Sequence, residues 1–117
     1  MTTSQLARIC HEANRAYRLS LAEDPGPHWE NAPREMLESS IAGVNYRLDN
    51  PTATAEDQHN SWLEGKRAAG WTFGAVKSET LRTHPQLLPY DQLPDEQRTK
   101  DRLFQAIVDA MAPIVRR

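Results

Sequence analysis

Apolar residues recur three or four positions apart in four stretches of the chain, a period that is typical of α-helices with one buried face. The first stretch begins near Thr3. It must end before Asp24-Pro25-Gly26-Pro27, because that segment cannot continue a helix. The pattern therefore predicts an amino-terminal helix whose buried stripe is Leu6, Ile9, Ala13 and Tyr17.

The second and third stretches have recognisable start and stop signals. The second is entered through Asn31-Ala32-Pro33, in which the asparagine can cap the helix and the proline can occupy its first turn. It ends at Asp49-Asn50-Pro51. The third begins at Thr54, which is spaced from Asp57 as in a capping box, although the usual partner is Glu or Gln. The second helix should bury Leu37, Ile41, Val44 and Leu48, and the third carries His59, Trp62, Leu63 and Lys66.

A long irregular segment separates the third helix from the fourth. Gly70 is expected to close the third helix, because a residue without a Cβ adopts the left-handed conformation there without strain. Residues 71–94 are predicted to be extended or looped, since Pro85 and Pro89 force extended conformations on their neighbours. Such a stretch in a small domain suggests function, or a segment held by specific side chains. The fourth helix begins at about Asp95, and its apolar stripe is Leu103, Phe104, Ile107, Val108 and Met111.

Length and composition place these helices in one domain. The 117 residues suffice for one hydrophobic core but not for two independent ones. Hydrophobic residues make up 38% and charged residues 26%, which indicates a modest core with many side chains in water. We predict a mainly α-helical single domain over residues 1–117. It has about four helices and, between the last two, a long extended proline-containing loop that can hold a short β-hairpin.

Charge and cysteine content narrow the function classes. A net charge of -2 argues against a surface for duplex nucleic acid, because neutralising phosphates requires a basic face. Cys10 is the single cysteine, which excludes an intramolecular disulfide and a four-cysteine zinc site. No run approaches the ~20 apolar residues of a membrane span, and the amino terminus lacks signal-peptide features. We expect a soluble, cytoplasmic protein with no metal site and no cofactor.

The segment from His59 to Tyr90 carries the most informative motifs. His59-Asn60-Ser61-Trp62 is followed by Gly70-Trp71-Thr72-Phe73-Gly74 and then by His84-Pro85-Gln86-Leu87-Leu88-Pro89-Tyr90. In this order they resemble the His-x-x-Trp, Gly-Trp-x-Tyr/Phe-Gly and His/Asn-Pro-x-Leu-Val/Leu-Pro-Tyr motifs of the ryanodine-receptor (RyR) domain family. The resemblance is tight over residues 59–108.

The amino-terminal half is similar to that of single-domain phage and bacterial members of the family. The resemblance implies a binding domain in a bacterial cell or a phage-infected host, not a channel, because the repeats lie far from the pore in the animal channels. It also implies an adenine-containing ligand against Trp62, and a homodimer in place of the paired repeats of the channels. The motifs of this half are His11-Glu12-Ala13-Asn14, Trp29-Glu30-Asn31-Ala32-Pro33 and Ile41-Ala42-Gly43-Val44.

Aromatic and basic side chains lie close together through the central segment. An aromatic ring can stack a nucleobase for ~1–3 kcal/mol, and lysine or arginine attracts phosphate. The combination predicts a site for a small nucleotide-like molecule. The candidate ligand-binding residues are Trp62, His59, Lys66, Trp71, Lys77, His84 and Tyr90.

Each candidate also has a structural interpretation, because large aromatics with polar tips commonly anchor loops to small helical cores. For Trp71 we favour the core role. For Trp62 both interpretations stay open, since helical spacing places it on a face that also carries polar groups such as Lys66. For Tyr90 and His84 the alternative role is to hydrogen-bond the loop without contacting a ligand.

Catalytic interpretations have less support. Cys10 and His11 are adjacent, and neighbouring side chains on a helix point about 100° apart, which makes a poor nucleophile and base pair. The histidines show no pair four residues apart, and there is no phosphate-binding Gly-x-x-x-x-Gly-Lys-Ser/Thr sequence.

Our first hypothesis is therefore a non-enzymatic ligand-binding module, and the second is a protein-interaction or assembly module. The third is a weak nucleotide hydrolase that uses His59 or His84.

Overall fold

A computed structural model covers residues 1–117 and contains four α-helices, two short strands and three 3-10 turns. The fold is mainly α-helical, as the sequence predicts. The helices are α1 (Thr3–Ser20), α2 (Arg34–Asp49), α3 (Ala55–Ala68) and α4 (Asp95–Met111), and the strands are β1 (Thr72–Phe73) and β2 (Thr83–His84).

Local hydrogen bonds set the ends of α1 and α3. The Thr2 hydroxyl accepts from the Gln5 backbone N–H, and the Gln5 side chain accepts in return from the Thr2 N–H. Thr54 and Asp57 make the same reciprocal pair at 3.1 and 3.0 Å, which confirms the predicted start of α3 with an aspartate as the partner. Gly70 follows α3 with φ +89°, the left-handed conformation expected of it.

Helix α2 starts differently from the prediction. Asn31 does not cap it; this residue ends a 3-10 turn, Trp29–Asn31, and Pro33 occupies the N-cap position with ψ 149°. The reason is a contact from another helix, because Glu12 of α1 accepts a hydrogen bond from the Trp29 N–H at 2.8 Å. This bond holds the turn against α1, and α2 begins only at Arg34.

Helix α1 buries a face that is rotated from the predicted stripe. Leu6, Ala7 and Cys10 are buried, whereas Ile9 is 37% exposed. The buried residues pack with Val44 of α2 and Val108 of α4 in one core cluster. Small side chains at positions 7 and 10 suit a face on which two other helices approach closely.

The loop between α3 and α4 is held by a second cluster, formed by Leu63, Trp71 and Leu87. Its strands β1 and β2 pair in parallel, with Thr72 opposite Thr83. Parallel strands cannot be joined by a tight turn. The loop therefore contains a crossover through residues 74–82 in place of the β-hairpin that the sequence allowed.

One ion pair ties α2 to α4. Arg47 donates from Nε and Nη2 to the two carboxylate oxygens of Asp109, both at 2.8 Å, and from Nη1 to the Ala53 carbonyl at 2.6 Å. This bidentate geometry fixes the relative rotation of the two helices.

No helix of this fold combines the length and the apolar character needed to cross a membrane.

Candidate functional site

A polar cavity of about 360 Å³ lies where the four helices and the loop between α3 and α4 meet. Helix α1 places Asn14 and Arg18 on its wall, and α4 places Lys100 and Asp101 there. Helix α3 contributes Gln58, His59 and Trp62, and the loop contributes Lys77, His84 and Gln86. The site is therefore assembled from segments that are far apart in the sequence.

Trp62 is the central aromatic residue of this cavity. Its ring lies 5.6 Å from the ring of His59 in a tilted arrangement and 5.0 Å from the ring of His84 in an edge contact. The Trp62 side chain also lines a groove of about 340 Å³ between α2 and α3. The indole is half-buried and lies between the two spaces, so part of its surface faces each.

The two histidines beside Trp62 are oriented by backbone groups. His59 donates from Nε2 to the Leu88 carbonyl at 2.7 Å, and His84 accepts at Nδ1 from the Gln86 N–H at 3.0 Å. Burial, followed by the positive charge of Lys77, lowers the pKa of His84 to about 4. His84 is therefore neutral at pH 7.

Lys66, Trp71 and Tyr90 do not line the cavity. Trp71 is only 2% exposed and donates from Nε1 to Glu35 at 2.8 Å, so its ring has no free face for stacking and it acts as a core residue. Lys66 lies in the neighbouring groove, with Nζ 4.6 Å from the centre of the Trp71 ring. Tyr90 packs behind His59, at 6.0 Å between rings. Of the seven predicted candidates, Trp62, His59, Lys77 and His84 share the cavity.

Four polar atoms in the cavity lining are buried without a hydrogen-bond partner in the protein: Asn14 Oδ1, Arg18 Nε, Gln58 Oε1 and Asp101 Oδ2. Arg18 Nε lies 3.5 Å from Glu23 Oε1, a distance at which the charges attract without a hydrogen bond being formed. Buried polar groups are normally hydrogen-bonded, to the protein, to water or to a ligand. The cavity is therefore suited to hold a polar molecule.

The motifs of the central segment did not identify these polar residues. A weaker signal exists, because Asn14 follows the buried Cys10 by four positions and Asp101 precedes the core residue Phe104 by three. A polar side chain in line with the apolar face of a helix must face the interior. Gln58 carries no such signal beyond its place next to His59.

The charge of the cavity is positive. Its lining holds three cations, Arg18, Lys77 and Lys100, and two carboxylates, Glu23 and Asp101. Lys77 also pairs with Glu79 at 3.4 Å, outside the lining. Lys100 donates to Glu23 at 2.8 Å, and this bond is the main reason that the pKa of Glu23 is lowered. Burial raises the pKa of Asp101 to about 6, so this carboxyl is mostly ionised at pH 7 and loses its charge when the pH falls below 6. An anionic ligand is favoured.

Comparison with known protein families matches residues 44–112 to the RyR domain. The matched span covers more than half of the 117 residues. It includes α3, the loop and α4, and with them the central part of the cavity lining, whereas the α1 residues Asn14 and Arg18 lie outside it.

Proposed function

The chain belongs to the RyR domain family, and from this premise we propose that it binds a small nucleotide-like molecule in the polar cavity beside Trp62. The observation that carries the proposal is the set of buried polar atoms without a partner, in a cavity with a net positive lining. A ligand with both anionic and hydrogen-bonding groups would satisfy them.

The dimensions of the cavity favour a small molecule over a macromolecule. Sites for small ligands typically have volumes of about 300–1,000 Å³, and this cavity, at about 360 Å³, lies at the lower end of that range. A nucleotide of one base, one sugar and one or two phosphates is the appropriate class. An adenine nucleotide is the first candidate within it.

Each part of such a ligand has a complementary group in the lining. The indole of Trp62 offers an aromatic surface, and stacking of a base on it would contribute ~1–3 kcal/mol. Arg18, Lys77 and Lys100 would attract the phosphate. The neutral ring of His84 can donate from its Nε2–H.

We propose binding without catalysis. Burial raises the pKa of the Cys10 thiol to about 12, which suppresses the reactive thiolate. His59 uses its Nε2 proton to hold the loop at Leu88, and the low pKa of His84 makes that residue a weak base at neutral pH. These features support a recognition site.

The test is thermal unfolding of the protein with AMP, ADP, ADP-ribose and cyclic AMP. A ligand present at 100 times its dissociation constant adds roughly 2.7 kcal/mol to the free energy of unfolding. We expect at least one nucleotide to raise the melting temperature, and Trp62→Ala to lose that response. Phe73→Ala is the matched control, because Phe73 is an aromatic of the same segment that is 55% exposed and lies outside the cavity. Equal loss of response in both variants would remove Trp62 from the site.

A second candidate function is protein interaction through the crossover in the loop. Phe73, Val76 and Leu81 are 55%, 76% and 74% exposed, and a partner chain that covered them would remove this apolar surface from water. Sedimentation velocity over a range of concentrations tests this candidate, with Leu81→Asp as the variant. A mass that rises with concentration in the parent but not in Leu81→Asp would support a homodimer through this loop.

A further inference from the structure

The cavity presents an excess of hydrogen-bond acceptors that the fold does not satisfy. The unpartnered oxygens are Asp101 Oδ2 on α4, Gln58 Oε1 on α3 and Asn14 Oδ1 on α1. A buried acceptor without a donor costs free energy, and in native proteins it usually has a functional explanation. A bound molecule would have to supply N–H or O–H donors to these oxygens.

The amide nitrogen of Gln58 fixes the orientation of its side chain. Its amide Nε2 donates to the Gly43 carbonyl at 3.2 Å, which leaves Oε1 as the atom available to the cavity. Gln58 is 7% exposed and therefore offers a rigid acceptor.

Asp101 is a carboxylate without an ion-pair partner. Its neighbour Lys100 is directed to Glu23 at 2.8 Å, and no lysine, arginine or histidine nitrogen lies within 4.0 Å of the Asp101 carboxylate. Burial raises the pKa of Asp101 to about 6, which reflects the cost of the unmatched charge. A side-chain hydrogen bond from Gln97 partly offsets this rise in pKa, but Oδ2 has no partner. An ionised carboxylate only accepts hydrogen bonds, so a ligand donor would supply the partner that Oδ2 lacks.

We propose that Asp101 and Gln58 are specificity-determining residues that recognise an N–H or O–H donor of the ligand. The ligand then combines an anionic group with a donor, which in a nucleotide is either an exocyclic amine of the base or a hydroxyl of the sugar. This inference rests on the proposed nucleotide-binding function and adds to it the atoms that select the ligand.

Isothermal titration calorimetry with matched probes tests the inference and separates the two donor types. AMP carries both donors, inosine 5′-monophosphate lacks the exocyclic amine, and 2′,3′-dideoxy-AMP lacks the sugar hydroxyls. The proteins are the parent, Asp101→Asn and the control Glu96→Gln, which changes an exposed carboxylate of the same helix outside the cavity.

We expect Asp101→Asn to weaken AMP binding by at least about tenfold, because a hydrogen bond to a charged group is lost and an amide N–H then faces the ligand donor. Glu96→Gln should leave the affinity within about twofold, as surface changes usually do. One analogue should bind the parent about tenfold more weakly than AMP. For that analogue alone, Asp101→Asn should cause almost no further loss of affinity. This non-additivity identifies the ligand donor that hydrogen-bonds to Asp101.

A second measurement needs no ligand. If Asp101 serves recognition and lowers the stability of the free protein, removing its unmatched charge should raise the melting temperature of that protein. We therefore expect free Asp101→Asn to melt at a higher temperature than the parent at pH 7. A lower melting temperature would identify Asp101 as a structural residue and overturn the inference.

The outcomes separate the two levels of the proposal. If AMP binds the parent and Asp101→Asn binds it equally well, the donor-recognition inference fails while nucleotide binding stands. Equal affinity of AMP and both analogues for the parent would overturn the inference in the same way. If the parent binds none of the probes, the inference and the proposed function fail together.

Discussion

Replacing Gly74 by alanine should destabilise the protein strongly, whereas the same replacement at Gly65 should not. A Cβ on residue 74 would lie 2.5 Å from Thr83 Cβ and 3.0 Å from its Cγ2. Carbon atoms in contact normally stay about 3.5–4.0 Å apart, so an overlap of roughly 1 Å has to be relieved. Gly65 lies on α3, and a Cβ on that residue would have no atom within 4 Å, so an added methyl meets nothing there.

Thr83 cannot move aside without breaking other bonds. Its backbone exchanges two hydrogen bonds with Ser78 at 3.0 and 3.1 Å, and its hydroxyl donates to the Val76 carbonyl at 2.9 Å. The Gly74 N–H itself donates to the His84 carbonyl at 3.3 Å. The overlap therefore acts on the pairing of β1 with β2, which positions His84 at the cavity.

The expected cost combines overpacking, about 1–3 kcal/mol, with the loss of one backbone hydrogen bond, about 0.5–1.5 kcal/mol. Gly74→Ala should thus lower the free energy of unfolding by roughly 2–4 kcal/mol. Gly65→Ala should raise it by about 0.5–1 kcal/mol, because alanine is the better helix former. At roughly 3–6 °C per kcal/mol for a chain of this size, the two melting temperatures should differ by more than about 8 °C.

Urea denaturation of both variants measures the two free energies directly. A double variant gives a further check, because the three atoms closest to the added Cβ all belong to the Thr83 side chain. Gly74→Ala should therefore cost much less in a Thr83→Gly background than in the parent. A Gly74→Ala protein as stable as Gly65→Ala would refute the assignment of Gly74 to a close approach of two strands.

Two further predictions concern single contacts. Trp71→Phe should lower the free energy of unfolding by about 1–3 kcal/mol in urea denaturation, because the smaller ring leaves a void beside Leu63 and Leu87. The Trp71 hydrogen bond lowers the pKa of Glu35, so this pKa should rise toward its ordinary value in an NMR titration of the variant. An unchanged pKa would contradict the contact. Glu12→Gln should destabilise the protein at pH 7, because hydrogen bonds from the Trp29 N–H and from His28 lower the pKa of Glu12 to about 2. The stabilisation by this carboxylate is complete above its ordinary pKa of 4.5 and is lost as the pH falls toward 2, so the difference in unfolding free energy between the parent and Glu12→Gln should shrink between pH 5 and pH 3. A difference that stays constant over this range would contradict the assignment.

The sequence predicted part of the candidate site because that part lies in one continuous segment. His59, Trp62, Lys77 and His84 belong to the motif region, and the structure brings all four to the cavity. Trp71 belongs to the same region, yet it is buried and bonded to Glu35 of α2. The burial of Trp71 depends on the position of α2, which local sequence does not specify, so the motif region alone could not distinguish Trp71 from Trp62.

The sequence by itself determined the features that depend on neighbouring residues. The reciprocal caps at Thr2 and Thr54, the left-handed end at Gly70 and the stop after Asp49 are local, because their hydrogen bonds and steric limits act within a few residues. They fix where α1 and α3 begin and where α2 and α3 end. The chain length and the apolar period then suffice to predict a small helical domain.

The tertiary structure decided what depends on contacts between distant segments. It selected the buried face of α1, left Ile9 exposed, and paired β1 with β2 in parallel. It also brought Gln58 and Asp101 to one cavity, although 43 positions separate them in the sequence. The physical reason is that burial and the satisfaction of polar groups are set by the atoms that surround a side chain, and these come from helices whose relative rotation no local pattern specifies.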